Sequence, residues 1–167
     1  MTRKESIEFY KAHARRLFNI SRRIVGDSGE AEEITQDTIL GFLSSDIVPN
    51  DEAKVAAWLR TTCIRKSIDA VRRKSKERLF LNEYAAEASE YDDDVQIDPD
   101  GIRPEDIRQA IDALPEPYRL ILDLVLVEGL DYEEIAGLTG EREGTLRTQF
   151  SRGRAKLVQA LKSRKRI

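Results

Sequence analysis

Residues 132–154 read YEEIAGLTGEREGTLRTQFSRGR, and this stretch decides the fold of the second half of the chain. A short amphipathic segment, Tyr132 to Leu138, is followed by a turn at Gly140, where glycine accepts a positive φ without strain. A longer segment of helical periodicity, about 142 to 162, comes next. A short helix, a glycine turn and a second helix form the pattern of a helix-turn-helix, a motif that places its second helix in the major groove of DNA.

The longer helix carries polar side chains on the face opposite Leu146, Phe150 and Leu157, which we expect to point inward. Arginine can bind guanine through two hydrogen bonds, glutamine can do the same with adenine, and serine and threonine contact bases or phosphates. The candidate DNA-binding residues of this helix are Arg147, Thr148, Gln149, Ser151, Arg152 and Arg154. The alternative is a basic helix that only faces solvent.

The charges of the chain are strongly segregated. The formal net charge of the 167 residues is −3, which by itself argues against a nucleic acid as partner. Residues 52–80, however, carry a net charge of +6, residues 83–106 carry −9 and residues 142–167 carry +8. Two basic segments separated by an acidic one predict two separate contacts with a polyanion.

Helical periodicity dominates the rest of the chain, and no alternating strand pattern occurs, so we expect an all-α fold. The acidic stretch contains a DDD run together with Pro99, Gly101 and Pro104, which is typical of a linker. The predicted organisation is a helical bundle over 1–82, an acidic flexible linker over 83–103 and a helix-turn-helix domain over 104–167. Pro104 is predicted to open a helix, and Asp27 or Ser28 to cap another.

Several motifs resemble those of the bacterial sigma-70 family, and in particular its extracytoplasmic-function (ECF) group. The segments DALP, YEEIA, GT and SRGR, all within 112–161, are similar to region 4 of that family. EAEEITQDTILGFL (30–43) resembles the polymerase-binding helix of region 2, and WLRTTCIRKSIDAVRRKSK (58–76) resembles its promoter-melting helix. The resemblance covers nearly the whole chain, in the order that the family has.

The resemblance implies a sigma factor that binds core RNA polymerase and directs transcription initiation through the minus-10 and minus-35 promoter elements. Its partners would be the β′ clamp helices and the β flap of the polymerase, promoter DNA and, as a further candidate, an anti-sigma factor. The polymerase-binding residues implied by position are Glu30, Glu32, Glu33, Gln36 and Asp37. The alternative is that these side chains only complement the helix dipole and stay solvated.

The third helix, expected over about 52 to 80, would meet the minus-10 element while the strands separate. Its candidate phosphate contacts are Arg60, Arg65, Lys66, Arg72, Arg73 and Lys74. By the same resemblance, the loop 44–51 would contribute to a pocket for an extruded base. Trp58 is either a stacking platform for a base or a core residue, and we favour the core.

Other function classes find little support. One histidine, His13, and one cysteine, Cys63, allow neither a catalytic triad nor a cysteine-based metal site, so no enzyme activity, cofactor or metal is expected. We expect His13 at the boundary of the core and Cys63 buried. Without an apolar run of about 18 residues or a secretory signal, the chain is expected not to enter a membrane and to be cytoplasmic.

Two other functions remain open at this point. The first is a helix-turn-helix regulator that binds duplex DNA without the polymerase. The second is a sigma-like decoy that sequesters an anti-sigma factor. A simple regulator has no need of a melting helix, and a decoy would be expected to lose the basic face around Arg147, Arg152 and Arg154.

Overall fold

A computed structural model describes residues 1–47, 50–74 and 101–165, and every regular element among these residues is helical. The chain divides into two compact units, Met1–Lys76 and Glu77–Ile167. The helices, in order, are α1 (Arg3–Val25), α2 (Ser28–Leu43), α3 (Glu52–Lys74), α4 (Pro104–Asp112), α5 (Glu116–Leu122), α6 (Tyr132–Thr139) and α7 (Glu143–Lys165), with a π-helical turn at Asp123–Val127. The prediction of an all-α, two-domain fold is confirmed.

Two sequence predictions fall wholly or partly outside the described residues. Of the predicted linker 83–103, only residues 101–103 are described. The predicted last part of the third helix, 75–80, also lies outside the described ranges.

Local capping interactions fix both ends of α1 and the start of α2. The side chain of Thr2 accepts a hydrogen bond from the backbone N–H of Glu5, and the Glu5 carboxylate accepts one from the backbone N–H of Thr2, at 3.2 and 2.9 Å. Gly26, with a φ of 79°, ends α1. Asp27 caps α2 by accepting from the backbone N–H of Gly29 at 2.8 Å, so Asp27 rather than Ser28 is the capping residue.

Helices α1, α2 and α3 enclose the apolar core of the first unit. The large side chains at its centre, all at most 2 % exposed, are Leu17, Ile24, Ile39, Phe42, Leu59, Ile64 and Ile68. Burial of each such side chain contributes about 1.5–3 kcal/mol. These contacts hold the outer faces of α2 and α3 in fixed positions within the unit.

A buried polar contact joins α1 to α3. The hydroxyl oxygens of Ser21 and Ser67 lie 2.8 Å apart, and Ser67 also donates to the carbonyl oxygen of Cys63 at 2.7 Å. Because a serine hydroxyl has a single hydrogen, Ser21 must donate in the bond between the two serines. Both hydroxyls are fully buried, so sliding the helices by a turn would break the hydrogen bond between them inside the core and is disfavoured.

The longest apolar run of the second unit is not a regular α-helix throughout. After α5 ends at Leu122, the backbone widens into the π-helical turn at Asp123–Val127. Gly129, with a φ of 70°, follows this turn. Pro104 is the first residue of α4, as predicted.

Candidate nucleic-acid interface

The helix-turn-helix predicted from the sequence is present in α6, the turn after it and α7. The side chain of Asp131 accepts from the backbone N–H of Glu134 at 2.8 Å and thereby fixes the start of α6. Gly140 has a φ of 76°, and its N–H donates to the carbonyl oxygen of Ala136 at 2.8 Å. Ile135 of α6 and Leu146 of α7 are fully buried. The turn is therefore closed by its own backbone, and α7 is held by the core of the unit.

A buried threonine also closes this turn, which the sequence reading missed. The Thr139 hydroxyl donates to the carbonyl oxygen of Ile135 at 2.7 Å and accepts from the backbone N–H of Glu141 at 3.2 Å. The side chain is fully buried. Thr139 therefore satisfies a carbonyl of α6 and an amide of the turn together, and this shapes the entry into α7.

The exposed face of α7 carries part of the predicted DNA-binding set. Arg147 and Thr148 are exposed, and Ser151, Arg152 and Arg154 are half-buried beside them. One residue is placed differently from the prediction, because Gln149 is only 2 % exposed. Five of the six predicted side chains thus reach the surface.

Gln149 is buried and Phe150 is only half-buried, the reverse of what the hydrophobicity of the two side chains suggested. Residues 146, 149, 153, 157 and 161 follow one another at three or four positions and are all buried, so they form the inner stripe of α7. Phe150 is half-buried at the edge of that stripe. The prediction that Gln149 lies on the polar face was wrong because positions 149 and 150 both stand at helical spacing from Leu146, and the aromatic residue was assumed to be the inner one.

Arg147 lies against the first residue of the preceding helix. Its guanidinium carbon is 5.4 Å from the centroid of the Tyr132 ring, a cation–π contact. The ring of Phe150 meets the same tyrosine at 6.3 Å and 68°, an edge-to-face arrangement. Burial raises the pKa of the Tyr132 phenol, and the positive charge of Arg147 partly counteracts this by lowering it.

The basic residues of α3 form an exposed strip on the first unit. Arg65, Lys66, Arg72 and Arg73 are exposed, whereas Ile68 and its buried neighbours point inward. Because seven residues make almost two full turns, the pairs at 65–66 and 72–73 lie on the same side of the helix. Arg60 is half-buried and Lys74 is exposed. The ammonium group of Lys74 pairs with the carboxylate of Glu30 at the start of α2.

The acidic residues of α2 lie on its outer face. Glu32, Glu33, Gln36 and Asp37 are exposed and Glu30 is half-buried. An apolar groove of about 360 Å³ runs beside them and is lined by Arg3, Ser6, Ile7, Tyr10, Gln36, Ile39, Leu40 and Leu43. Leu40 is 58 % exposed and stands one turn after Gln36. A leucine at that spacing on a polar helix face was the signal in the sequence for this mixed surface, and the sequence reading overlooked it.

An aromatic cluster joins α1, α2 and α3. Phe9 stacks on Phe42 at 5.0 Å, and Phe42 meets Trp58 edge-on at 5.4 Å. Trp58 is half-buried in this cluster, so it packs against Phe42 at the edge of the core rather than inside it. His13 is half-buried beside Phe9 at 4.6 Å, and burial together with the charge of Arg16 lowers its pKa.

Other functional groups are scarce within the described residues. Cys63 is fully buried as expected, with its thiol 3.4 Å from the carbonyl oxygen of Leu17. A cavity of about 550 Å³ between α1 and α3 is lined by Glu5, Glu8, His13 and Glu52, among others. No group of three or more histidine, cysteine or carboxylate side chains in the described ranges could hold a metal ion. No helix among the residues that the structure describes is long and apolar enough to cross a membrane.

Family models match both halves of the chain. The model for sigma-70 region 2 matches residues 9–77, and the model for sigma-70, region 4, matches residues 105–157. The two models therefore account for most of the chain, in the order in which the family carries these regions.

Several bacterial sigma factors are similar to this chain in sequence. The chain is similar to the ECF RNA polymerase sigma factor SigE of Mycolicibacterium smegmatis, with 30 % identity over 152 residues, 90 % of this chain and 59 % of that protein. For SigV of Bacillus subtilis the identity is 29 %, covering 84 % of this chain and 81 % of the relative. For SigW of the same organism it is 28 %, covering 93 % and 87 %.

The fold is similar to that of the sigma factor RpoE from Bartonella quintana, solved in complex with the anti-sigma factor NepR. The TM-score is 0.53 at 20 % identity, and the match covers 95 % of this chain and 96 % of that one. At this identity the likeness concerns the fold.

Proposed function

This chain belongs to the extracytoplasmic-function group of the sigma-70 family, and we propose that it binds core RNA polymerase and directs transcription initiation at promoters with defined minus-10 and minus-35 elements. The observation that carries the proposal is the presence of two matched sigma regions, each with an exposed basic helix, α3 in one unit and α7 in the other. A factor that works on the polymerase acts in the cytoplasm, without chemistry of its own.

For the minus-35 element, we propose that α7 enters the major groove with its first turns. Arg147 and Thr148 are exposed there, and Arg147 is suited to bind a guanine through its O6 and N7 atoms. Ser151, Arg152 and Arg154 continue along the same helix toward the phosphates. Gln149 is left out of this set because its side chain is buried.

For the minus-10 element, we propose that the basic strip of α3 holds the strand that is being separated. Arg65, Lys66, Arg72 and Arg73 are free of the core and lie on one side of the helix. Their charges would follow a phosphate backbone whose bases are unstacked. The loop 44–51 is the proposed wall of a pocket for an extruded base, and residues 48 and 49 of that loop lie outside the described residues.

For the polymerase, we propose that the outer face of α2 docks on the β′ clamp helices. This surface combines the carboxylates of Glu33 and Asp37 with the exposed apolar side chain of Leu40. Such a surface fits a partner helix that carries basic and apolar side chains together. The second unit would contact the β flap.

An anti-sigma factor is a further proposed partner, because the structurally similar RpoE was solved with one.

Transcription reconstituted from purified components tests the proposal. The full chain is added to core RNA polymerase, and transcripts are mapped on a library of genomic fragments. We expect new start sites that share two spaced sequence elements. A chain that binds duplex DNA but not the core enzyme would be a helix-turn-helix regulator instead, and a chain that binds neither would overturn the proposal in favour of a decoy.

Two charge variants distinguish binding to core polymerase from promoter selection. Glu33→Lys combined with Asp37→Lys is expected to abolish binding to core polymerase, because it reverses the charge of the outer face of α2. Arg147→Ala combined with Arg154→Ala is expected to leave binding to core polymerase intact and to abolish promoter selection. The exposed carboxylate of Glu8, on α1, supplies a control, since Glu8→Lys should affect neither step.

A further inference from the structure

Tyr132 occupies a fixed place at the start of α6. It is the first residue of the helix, immediately after the capping residue Asp131. The backbone N–H of Asp131 donates in return to the Glu134 carboxylate at 3.2 Å, so two reciprocal hydrogen bonds hold this helix end. The ring is further held by Phe150 at 6.3 Å. The position of the Tyr132 ring is thus determined by α6 and α7 together.

The contact between Tyr132 and Arg147 brings the guanidinium carbon to 5.4 Å from the centroid of the ring. A guanidinium carries five N–H donors, and a cation–π contact with a ring leaves them available for hydrogen bonds to other partners. Those donors are the ones that bind the O6 and N7 atoms of guanine. The cation–π contact with Tyr132 and the reading of a base by Arg147 are therefore compatible.

We propose that Tyr132 is a positioning residue that holds Arg147 in its base-reading orientation before DNA arrives and so helps to set the sequence preference at the minus-35 element. The proposal rests on the proposed function, since the ligand of Arg147 is a guanine edge in the major groove. An arginine that is already oriented loses less rotational freedom when it binds, and this favours the one base that it meets in that orientation. Tyr132 itself need not touch the DNA.

Titration of the tyrosine tests the contact without any DNA. The chain has five tyrosines, and comparison with Tyr132→Phe assigns the carbon-13 signal of this ring in the 167-residue chain. We expect Arg147→Ala to raise the pKa of Tyr132, because the positive charge that lowers it is removed. An unchanged pKa in Arg147→Ala would show that the two side chains do not interact and would overturn the proposal.

Promoter selection by the full chain with core polymerase tests whether Tyr132 positions Arg147 for base reading. On a library randomised at the minus-35 element, Tyr132→Phe should keep the wild-type preference because the ring is retained. Tyr132→Leu should reduce the preference by about 2- to 12-fold at the position that Arg147→Ala also affects. The matched control is Tyr118→Leu. This change removes a similar contact, at 5.4 Å, between Tyr118 of α5 and Lys156, which lies on α7 as Arg147 does. It should leave the preference unchanged.

The outcomes separate the two proposals. If the wild-type chain selects promoters and a folded Tyr132→Leu variant loses activity equally on every sequence, the residue is structural and the positioning role is wrong. An unchanged base preference in the Tyr132→Leu variant would also show that the positioning role is wrong. If the wild-type chain selects no promoter with core polymerase, the proposed function itself fails, and the role of Tyr132 in reading a promoter fails with it.

Discussion

The ammonium group of Lys74, at the end of α3, pairs with the carboxylate of Glu30, in the first turn of α2, although 44 residues separate them in sequence. The Lys74 side chain is 60 % exposed and that of Glu30 is 20 % exposed. Lys74 belongs to the residues proposed to bind the minus-10 element and Glu30 to those implied in polymerase binding. A phosphate that binds Lys74 therefore competes with a carboxylate of the same unit.

Replacing Glu30 by glutamine should cost the first unit at most about 1 kcal/mol of stability, because the Lys74 side of the pair is exposed and solvent screens the interaction. The loss should disappear in about 1 M salt, where the Debye length is near 3 Å. Urea unfolding followed by the fluorescence of Trp58 measures the first unit alone, since this is the one tryptophan of the chain. Glu32→Gln, a change of an exposed neighbour on the same helix, is the control and should have no effect. A loss that persists in high salt would contradict a solvent-screened ion pair.

Replacing Gln149 by leucine should stabilise the second unit by about 1 kcal/mol or more. The Oε1 atom of Gln149 is buried and has no hydrogen-bond partner, and a buried unsatisfied polar group costs about 1–3 kcal/mol. Thermal unfolding followed by circular dichroism, with Trp58 fluorescence used to subtract the first unit, measures the change. Promoter preference should stay as in the wild type. An altered base preference would restore the role in DNA reading that the sequence suggested.

Two glycines of the second unit should respond to alanine in opposite ways. Gly137 has open space where the methyl group of an alanine would lie, so Gly137→Ala should stabilise α6 by about 0.5–1 kcal/mol through helix propensity. At Gly153 a Cβ atom would lie 3.3 Å from Cγ of Leu122, which is fully buried, and 3.4 Å from Cβ of Tyr118. Overpacking there costs about 1–3 kcal/mol, so Gly153→Ala should lower the melting temperature. Equal stabilisation by both changes would show that α5 and α7 pack less closely than these distances require.

The stability of the first unit should fall as the pH drops through the titration of His13. Burial, aided by the charge of Arg16 and opposed by Glu52, lowers the pKa of His13 from 6.5 in the folded protein. The unfolded chain therefore takes up the proton first, and folding is disfavoured progressively from about pH 7 to pH 5. Urea unfolding across that range measures the slope, and His13→Gln should reduce it. Because the chain has a single histidine, proton NMR can follow its titration directly, and Arg16→Gln should raise the pKa.

Much of the fold could be predicted from local signals. The helix-turn-helix followed from a short amphipathic segment and Gly140, which has the positive φ that was expected. The opening of α4 at Pro104 and the capping of α2 by Asp27 followed from residue types that act within one turn. The π-helical turn at Asp123–Val127 did not follow, because a continuous apolar run carries no periodicity that distinguishes it from an α-helix.

The candidate interface was predicted less completely than the fold. Arg147 and Thr148 are exposed as expected, but the apolar groove beside Leu40 was missed and Gln149 was misplaced. Each error concerns which side of a helix meets a neighbour. The spacing of residues defines such a side only to within about one position, since 3.6 residues make a turn.

The sequence by itself determined that the chain is helical, that it carries two sigma regions and that basic charge is concentrated on two of its helices, because these properties depend on periodicity, capping and composition. Only the tertiary structure decided that Gln149 is buried in place of Phe150, that Tyr132 lies under Arg147 and that Lys74 pairs with Glu30. These relationships join residues on different helices or depend on how two helices pack. They are set by the competition among side chains for a shared core and a shared surface, and this competition exists only once the helices have come together.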